Sequence, residues 1–244
     1  MDLDDIPIGR VLTRREALAF LGATGALLFF GCSDSTAATT GGETLTGCVV
    51  RPELTEGPYY VDEELNRSDI RSDPSDGSVR PGALLALTFN VSRASATACE
   101  PLPNAIVDVW HCDALGVYSD VSDPGFDTAG KKFLRGYQVT GNDGVARFTT
   151  VYPGWYSGRA VHIHFKIRSS SSSTSAYEFT SQLFFDDSLT DRVHSEQPYA
   201  TKGQRDLRNS QDGIYNQGGS RLVLTVTSSS EGYAATFDIA LDTV

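Results

Sequence analysis

From Ala83 to Leu241 the chain repeats one pattern, a short run of aliphatic, β-branched or aromatic residues with partial alternation, then a cluster of Gly, Pro, Asn, Asp or Ser. Alternation with a period of two sends successive side chains to opposite faces of a strand, so residues 83–91, 105–110, 133–140, 145–151, 160–167, 177–185, 221–228 and 233–241 are predicted as strands. Gly141-Asn142-Asp143-Gly144 is predicted as a hairpin turn, because Asn and Gly accept the positive φ of tight turns. Ser169 to Ser175 is low in complexity and reads as a solvated loop. No long amphipathic helix is predicted. Eight short strands at this spacing predict an all-β domain, an antiparallel β-sandwich, rather than a parallel α/β fold.

The first 31 residues break the pattern. Arg14-Arg15 precede an apolar stretch, Ala17 to Phe30, that ends at Gly31-Cys32. About fourteen apolar residues fall short of the roughly twenty that a spanning helix needs, so residues 1–31 read as an export signal. The arginine pair resembles a twin-arginine signal. Leu28-Phe29-Phe30-Gly31-Cys32 resembles a lipoprotein cleavage box with Cys32 as the lipidated residue, although Phe29 stands where such boxes usually carry Leu. The alternative is an uncleaved N-terminal anchor helix. Residues 32–47 are small and polar and read as a flexible tether, which leaves 48–244 as the folded domain and an exported, periplasmic or cell-surface location.

Composition adds three limits. The 40% of hydrophobic residues can bury a core, which excludes a disordered chain. The net charge of −11 becomes −10 without residues 1–31 (17 Lys+Arg against 27 Asp+Glu), so the acidic balance belongs to the domain. It leaves no broad basic surface, which excludes nucleic acid as a partner and restricts any membrane contact to a lipid anchor at Cys32. In an oxidising compartment Cys48, Cys99 and Cys112 remain. Cys48 and Cys99 are expected to pair, and Cys112, bracketed by apolar residues, reads as a small buried filler.

Several chemistries are absent: there is no G-x-G dinucleotide or kinase loop, no G-K-[ST], no G-x-S-x-G, no C-x-x-C and no H-E-x-x-H. What remains lies between Pro103 and Phe165. His162 and His164 share a strand face roughly 7 Å apart, within reach of one metal. By itself such a pair is equally an ordinary strand-face pair. The Pro153-Gly154 turn can swing Tyr156 toward them, and Tyr118 ends the segment after Trp110, but a lone tyrosine at a strand end is ordinarily rim packing.

Together these segments resemble the intradiol ring-cleavage dioxygenases. The first iron-ligand motif of that family is matched by PNAIVDVWHCDALGVYSD, with Tyr118 at the ligand position. The second is matched by NDGVARFTTVYPGWYSGRAVHIHF, which places Tyr156, Arg159, His162 and His164 on functional positions. Thr55-Glu56-Gly57-Pro58-Tyr59-Tyr60 resembles the motif ahead of the sandwich, and Gln182 the glutamine on the strand after the histidines. The resemblance spans roughly residues 48–244. It implies a sandwich with long active-site loops and one Fe(III) per chain held by Tyr118, Tyr156, His162 and His164. It also implies Tyr156, Arg159 and Gln182 as catalytic groups, with a catechol-type small molecule and O2 as reactants and a cis,cis-muconate-type diacid as product. Two phenolates and two imidazoles form a hard donor set that suits a trivalent cation.

Three departures qualify the match. Ala160 replaces the commoner Pro of R-P-x-H, only Ser157 and Gly158 separate Tyr156 from Arg159, and the chain carries an export signal where catechol-degrading members are generally cytoplasmic. The pocket is therefore expected to be more open, and the chain to fall in an exported branch. The rival reading is an exported ferric-tyrosinate protein that binds catechols or siderophores without turnover, which would not need Arg159 and Gln182; the bland alternatives for those two residues are a surface ion pair and a strand residue bonding the backbone. His111 reads as structural and His194, in a polar stretch, as exposed. Tyr59 and Tyr60 read as pocket walls or core, and Trp155 as an aromatic rim.

Overall fold

The computed structural model describes residues 48–95, 98–170 and 176–242. The expected signal (1–31), the tether (32–47) and most of the serine run lie outside the described residues.

Eleven strands are present among the described residues: β1 (Leu84–Ala94), β2 (Cys99–Pro101), β3 (Ile106–Trp110), β4 (Ser122–Asp123), β5 (Phe126–Asp127), β6 (Arg135–Val139), β7 (Val145–Val151), β8 (His162–Arg168), β9 (Glu178–Phe184), β10 (Val226–Ser228) and β11 (Tyr233–Leu241). One sheet runs β10-β11-β1-β2, with β7 also paired to β1, and the other runs β6-β3-β8-β9; β4 and β5 form a small separate ribbon. In β1 the alternation is explicit, with Leu85, Leu87, Phe89 and Val91 buried. Phe89 and Phe237 of the first sheet meet Phe165 of the second, with centroids 5.3 and 5.4 Å from that of Phe165, and Phe148 packs edge-on against Phe89 at 6.0 Å. The two sheets thus close on one aromatic core, where each fully buried ring is worth about 2–3 kcal/mol. This is the antiparallel β-sandwich expected, apart from one parallel pairing, β1 with β11.

Three local expectations are corrected: the hairpin, the full 221–228 strand and the exposure of His194. The 141–144 turn exists, with Gly144 at φ 72° donating its N–H to the Gly141 carbonyl (2.9 Å). It is not a hairpin, because β6 pairs with β3 whereas β7 pairs with β1, where Phe148 and Ala146 lie opposite Leu87 and Phe89. Turn chemistry fixes a reversal of the chain, while the apolar face of β7 decides which sheet it joins. Residues 221–228 form a strand only from Val226, since the preceding turn at Gly219–Leu222 tucks Leu222 into the core. A short helix, α1 (Asp187–His194), follows β9. Asp186 caps it by accepting from the backbone N–H groups of Ser188 and Leu189. His194 ends α1 buried rather than exposed, stacked on Tyr199 at 5.0 Å and bonded through Nε2 to the Pro153 carbonyl. An amphipathic last turn turns this polar-looking segment inward.

Cys48 and Cys99 are bridged, with Cα atoms 5.3 Å apart, while Cys112 is free and buried. Closing a loop of that sequence separation removes about 4 kcal/mol of chain entropy from the unfolded state. The long connections lie at one end of the second sheet: 111–134 leaves β3, 152–161 enters β8 and 185–225 leaves β9.

His111 is fully buried, donates from Nδ1 to the Cys112 carbonyl (2.8 Å) and accepts at Nε2 from Thr150 Oγ1 (2.7 Å). Burial, assisted by the Arg135 charge, pushes its pKa down to about 4. Between pH 6.5 and 4 the unfolded chain therefore binds a proton that the folded chain refuses, so stability is complete above 6.5 and falls as the pH drops. For one such group the loss is about 3 kcal/mol. Urea unfolding across this range is expected to show a shallower pH dependence in His111→Gln than in the wild type; identical slopes would contradict this assignment.

Candidate functional site

Strand β8 carries both histidines. Ile163, Phe165 and Ile167 enter the sandwich core, so His162 and His164 share the opposite face, as do Trp110 and Gln182, which flank His164 in register on β3 and β9. The Trp110 ring stacks on His164 at 5.0 Å with planes 7° apart. His162 donates from Nδ1 to the Ala160 carbonyl (2.6 Å), which leaves its Nε2 as a lone-pair site. That nitrogen lies 3.0 Å from His164 Nε2 and 3.2 Å from Tyr156 Oη. Two ring nitrogens this close repel unless a proton or a cation sits between them.

Tyr118 reaches the same point through the connection after β3. Asp113 Oδ1 accepts from the N–H groups of Leu115 and Val117, closing a tight turn with Gly116 at φ 80°. The Tyr118 ring lies 5.8 Å from Tyr156 and 6.1 Å from His164, and its hydroxyl, buried, meets no hydrogen-bond partner. The two tyrosine-bearing turns touch through glycine. A Cβ on Gly154 would come within 2.4 Å of the Ala114 carbonyl oxygen, and one on Gly116 within 2.2 Å of that of Trp155. Lys202 ties the turns by donating to the carbonyls of Leu115 and Trp155, both at 2.7 Å.

Burial sets the ionisation of the donors. It holds the His162 and His164 imidazoles well below the ordinary histidine range, with the Arg159 charge adding to the effect on His162 and the neighbouring His162 and Arg159 to that on His164. It pushes the Tyr118 phenol well up, with Tyr156 acting in the same direction. Neutral imidazoles are the ligand-competent form. Among the described residues no group of three or more His, Cys, Asp or Glu gathers that could hold a metal, so tyrosines have to complete this one. An orphaned phenol oxygen, a second phenol and two facing imidazole nitrogens fit a hard, highly charged cation.

Arg159 is buried beside this cluster. It donates from Nη2 to Gln182 Oε1 (2.6 Å) and from Nε to Asp212 Oδ2 (3.1 Å), and Gln182 Nε2 donates to the Thr55 carbonyl (2.9 Å). All six expected site residues thus fall in one region. Tyr59 joins them, its ring 4.5 Å from Tyr118 and its hydroxyl donating to Asp123, whereas Tyr60 packs on Trp110 beneath Lys166. Trp155 is half-buried next to the exposed Ser157 and Gly158, its Nε1 donating to the Gly203 carbonyl. His111 is structural, as expected.

Three residues were missed. Asp212 sits in NSQDGIYNQ, which looks like a surface turn. Lys202 looks like an ordinary solvated lysine. Arg135, only 2% exposed, donates to the carbonyls of Tyr59 and Ser119 at 2.6 Å each and so straps the Tyr59 segment to the Tyr118 connection. A signal for it existed, as the sole charge in the apolar run FLRGYQV.

Gly116→Ala should open the contact between the two turns. Its cost is expected to exceed that of Gly130→Ala, where φ is 79° but nothing lies within 4 Å of the added Cβ, by about 1–3 kcal/mol in urea unfolding. Equal costs would mean that backbone strain alone, not the close approach, requires Gly116.

A family model described as Dioxygenase matches residues 55–243. The chain is 34% identical over 129 residues to catechol 1,2-dioxygenase 2 of Acinetobacter lwoffii, a match covering 47% of this chain and 45% of that protein; the chain thus spans about half the length of this curated relative. Among solved structures it resembles an intradiol ring-cleavage dioxygenase from Tetranychus urticae (30% identity, TM-score 0.70, 81% of this chain and 96% of that one). It also resembles the dioxygenase domain of a dioxygenase and carbohydrate-binding protein fusion from Streptomyces sp. SirexAA-E (26% identity, TM-score 0.57, 80% of this chain and 100% of that one). With a family match over most of the domain, the chain belongs to the intradiol ring-cleavage dioxygenase family.

Proposed function

We propose that the protein holds one ferric ion through Tyr118, Tyr156, His162 and His164 and cleaves a catechol-type ring between its two hydroxyls with O2, yielding a cis,cis-muconate-type diacid. The observation that carries this reading is the convergence of Tyr156 Oη, His162 Nε2 and His164 Nε2 through 3.0–3.2 Å contacts, with the Tyr118 ring 5.8 Å from that of Tyr156 and a buried guanidinium alongside. When bound, the ferric ion supplies a Lewis-acidic anchor for the diol and a redox centre that couples the electron-rich ring to O2.

The chain's own residues do the rest. Tyr156, half-buried where the site meets solvent, receives a diol proton on Oη. Tyr118, His162 and His164 are buried and stay in place. Arg159 offers a fixed positive charge, in a water-poor setting, to the negative charge that develops on the ring. Gln182, locked between Arg159 and the Thr55 carbonyl, orients the ring. A binder without turnover has no use for the Arg159 and Gln182 pair, so the enzymatic reading is preferred. The Arg14-Arg15 pair, the apolar stretch from Ala17 to Phe30 and Cys32 support export and lipid anchoring.

The iron-loaded protein is expected to be red-brown, to consume O2 when given catechol, and to place both atoms of labelled O2 in the diacid. Tyr156→Phe should shift the colour and slow turnover by about a hundredfold. A colourless zinc protein after aerobic purification would remove the reading altogether, and colour without O2 uptake would leave the binding protein. Cys32→Ser should move the protein from the membrane fraction to the soluble one; unchanged fractionation would contradict lipidation.

A further inference from the structure

We infer that Asp212 is the positioning residue of this site, a single carboxylate that aims Arg159 and fixes the ring of His162 at once. The inference rests on the functional reading above for its consequence in turnover, but not for its geometry. Asp212 is 1% exposed and comes from the long connection after β9, far in sequence from the residues it serves. Its Oδ1 accepts from the N–H groups of Ile214 (2.7 Å) and Tyr215 (3.1 Å), which pins the carboxylate to its own turn. Its Oδ2 accepts from Arg159 Nε (3.1 Å) and from the Ala160 N–H (2.8 Å). Ala160 is thereby held at its N–H, and its carbonyl, on the next peptide group across the same Cα, is the acceptor for His162 Nδ1.

Four N–H donors converge on one side chain, so the group must be acceptor-only. A carboxylate satisfies all four, whereas an amide of the same shape turns its NH2 against two of them. The carboxylate also neutralises a guanidinium that is 5% exposed, and removing one partner of a buried pair leaves the other charge uncompensated. Two outputs follow from the one group. Arg159 keeps its Nη2 on Gln182, and His162 keeps its proton on Nδ1 and its lone pair on Nε2, the nitrogen that faces His164 and Tyr156. Ala160 takes part because it has an N–H to give. A proline at this position would remove that bond, so the coupling between Asp212 and His162 depends on Ala160.

The test is Asp212→Asn, read first in the metal-free protein. Nitrogen-15 NMR of the His162 ring should show a single Nδ1–H tautomer in the wild type and a mixture of tautomers in the variant. In the iron-loaded form, affinity against a competing chelator and kcat/KM for catechol should each fall about 10–100-fold, and the visible band should shift. An unchanged His162 tautomer together with wild-type iron affinity overturns the proposal. If wild-type protein takes up no iron or turns over no catechol, the functional reading fails, while the tautomer measurement still decides the role of Asp212. Should the variant not fold, hydrogen exchange in the wild type replaces it. The Arg159 Nε–H and Ala160 N–H are expected to exchange at least a hundredfold more slowly than exposed groups, and fast exchange of either overturns the proposal.

Discussion

The site exists because two turns can touch without a side chain between them. Tyr118 and Tyr156 come from connections at the ends of different strands, and they meet only where Gly154 lies on the Asp113-Ala114 backbone and Gly116 lies under the Trp155 carbonyl. A Cβ at either place would need space already filled by backbone oxygen, which cannot rotate away. Around this contact the rest is arranged as support: Lys202 bonds a carbonyl on each turn, Cys112 fills the space behind with its thiol against the Gly154 carbonyl, and Arg135 binds the Tyr59 and Ser119 carbonyls. The histidines need no such device, because a strand delivers both to one face by its period alone.

Burial would by itself make this cluster inert. It keeps the imidazoles neutral and the Tyr118 phenol protonated, since each charged form loses its hydration. Two guanidiniums stand close by, both nearly excluded from solvent. Arg135 is held mainly by neutral carbonyls and a serine hydroxyl, whereas Arg159 is matched by Asp212. The local field is therefore positive within a domain whose overall charge is strongly negative. A field of that sign opposes protonation of the histidines and favours anionic oxygen, which is the form a phenolate ligand or a catechol diolate takes. The net charge of the chain says nothing about this, because it is dominated by solvated surface acids.

What could be read from the chain before its fold was known divides along one physical line. Tyr118, Tyr156, Arg159, His162 and His164 lie on two contiguous segments whose turns and strand period constrain them locally, and it was the resemblance of those two segments to family motifs, rather than spacing alone, that joined them into one site. The sheet membership of β7 was not legible, because the Asn142-Asp143 turn specifies a reversal and the choice of partner depends on Phe148 and Ala146 lying opposite Leu87 and Phe89 on the neighbouring strand β1. The burial of His194 was hidden for a similar reason, since TDRVHSEQ is polar in composition and amphipathic only once it is wound into α1 and laid on Tyr199.

Asp212 is the sharpest case. It stands 53 residues from Arg159 in a segment rich in Asn, Ser and Gln, where an Asp-Gly pair reads as a solvated turn. Its own turn is indeed there, built by Oδ1 on the Ile214 and Tyr215 amides. The second oxygen of the same carboxylate then does what no local pattern encodes, taking two donors from another part of the chain. Groups that react are held to motif spacing because they must share a few ångströms at the end of one strand. A group that holds them in place answers only to a direction and a distance, and any connection that the fold brings within reach can supply it.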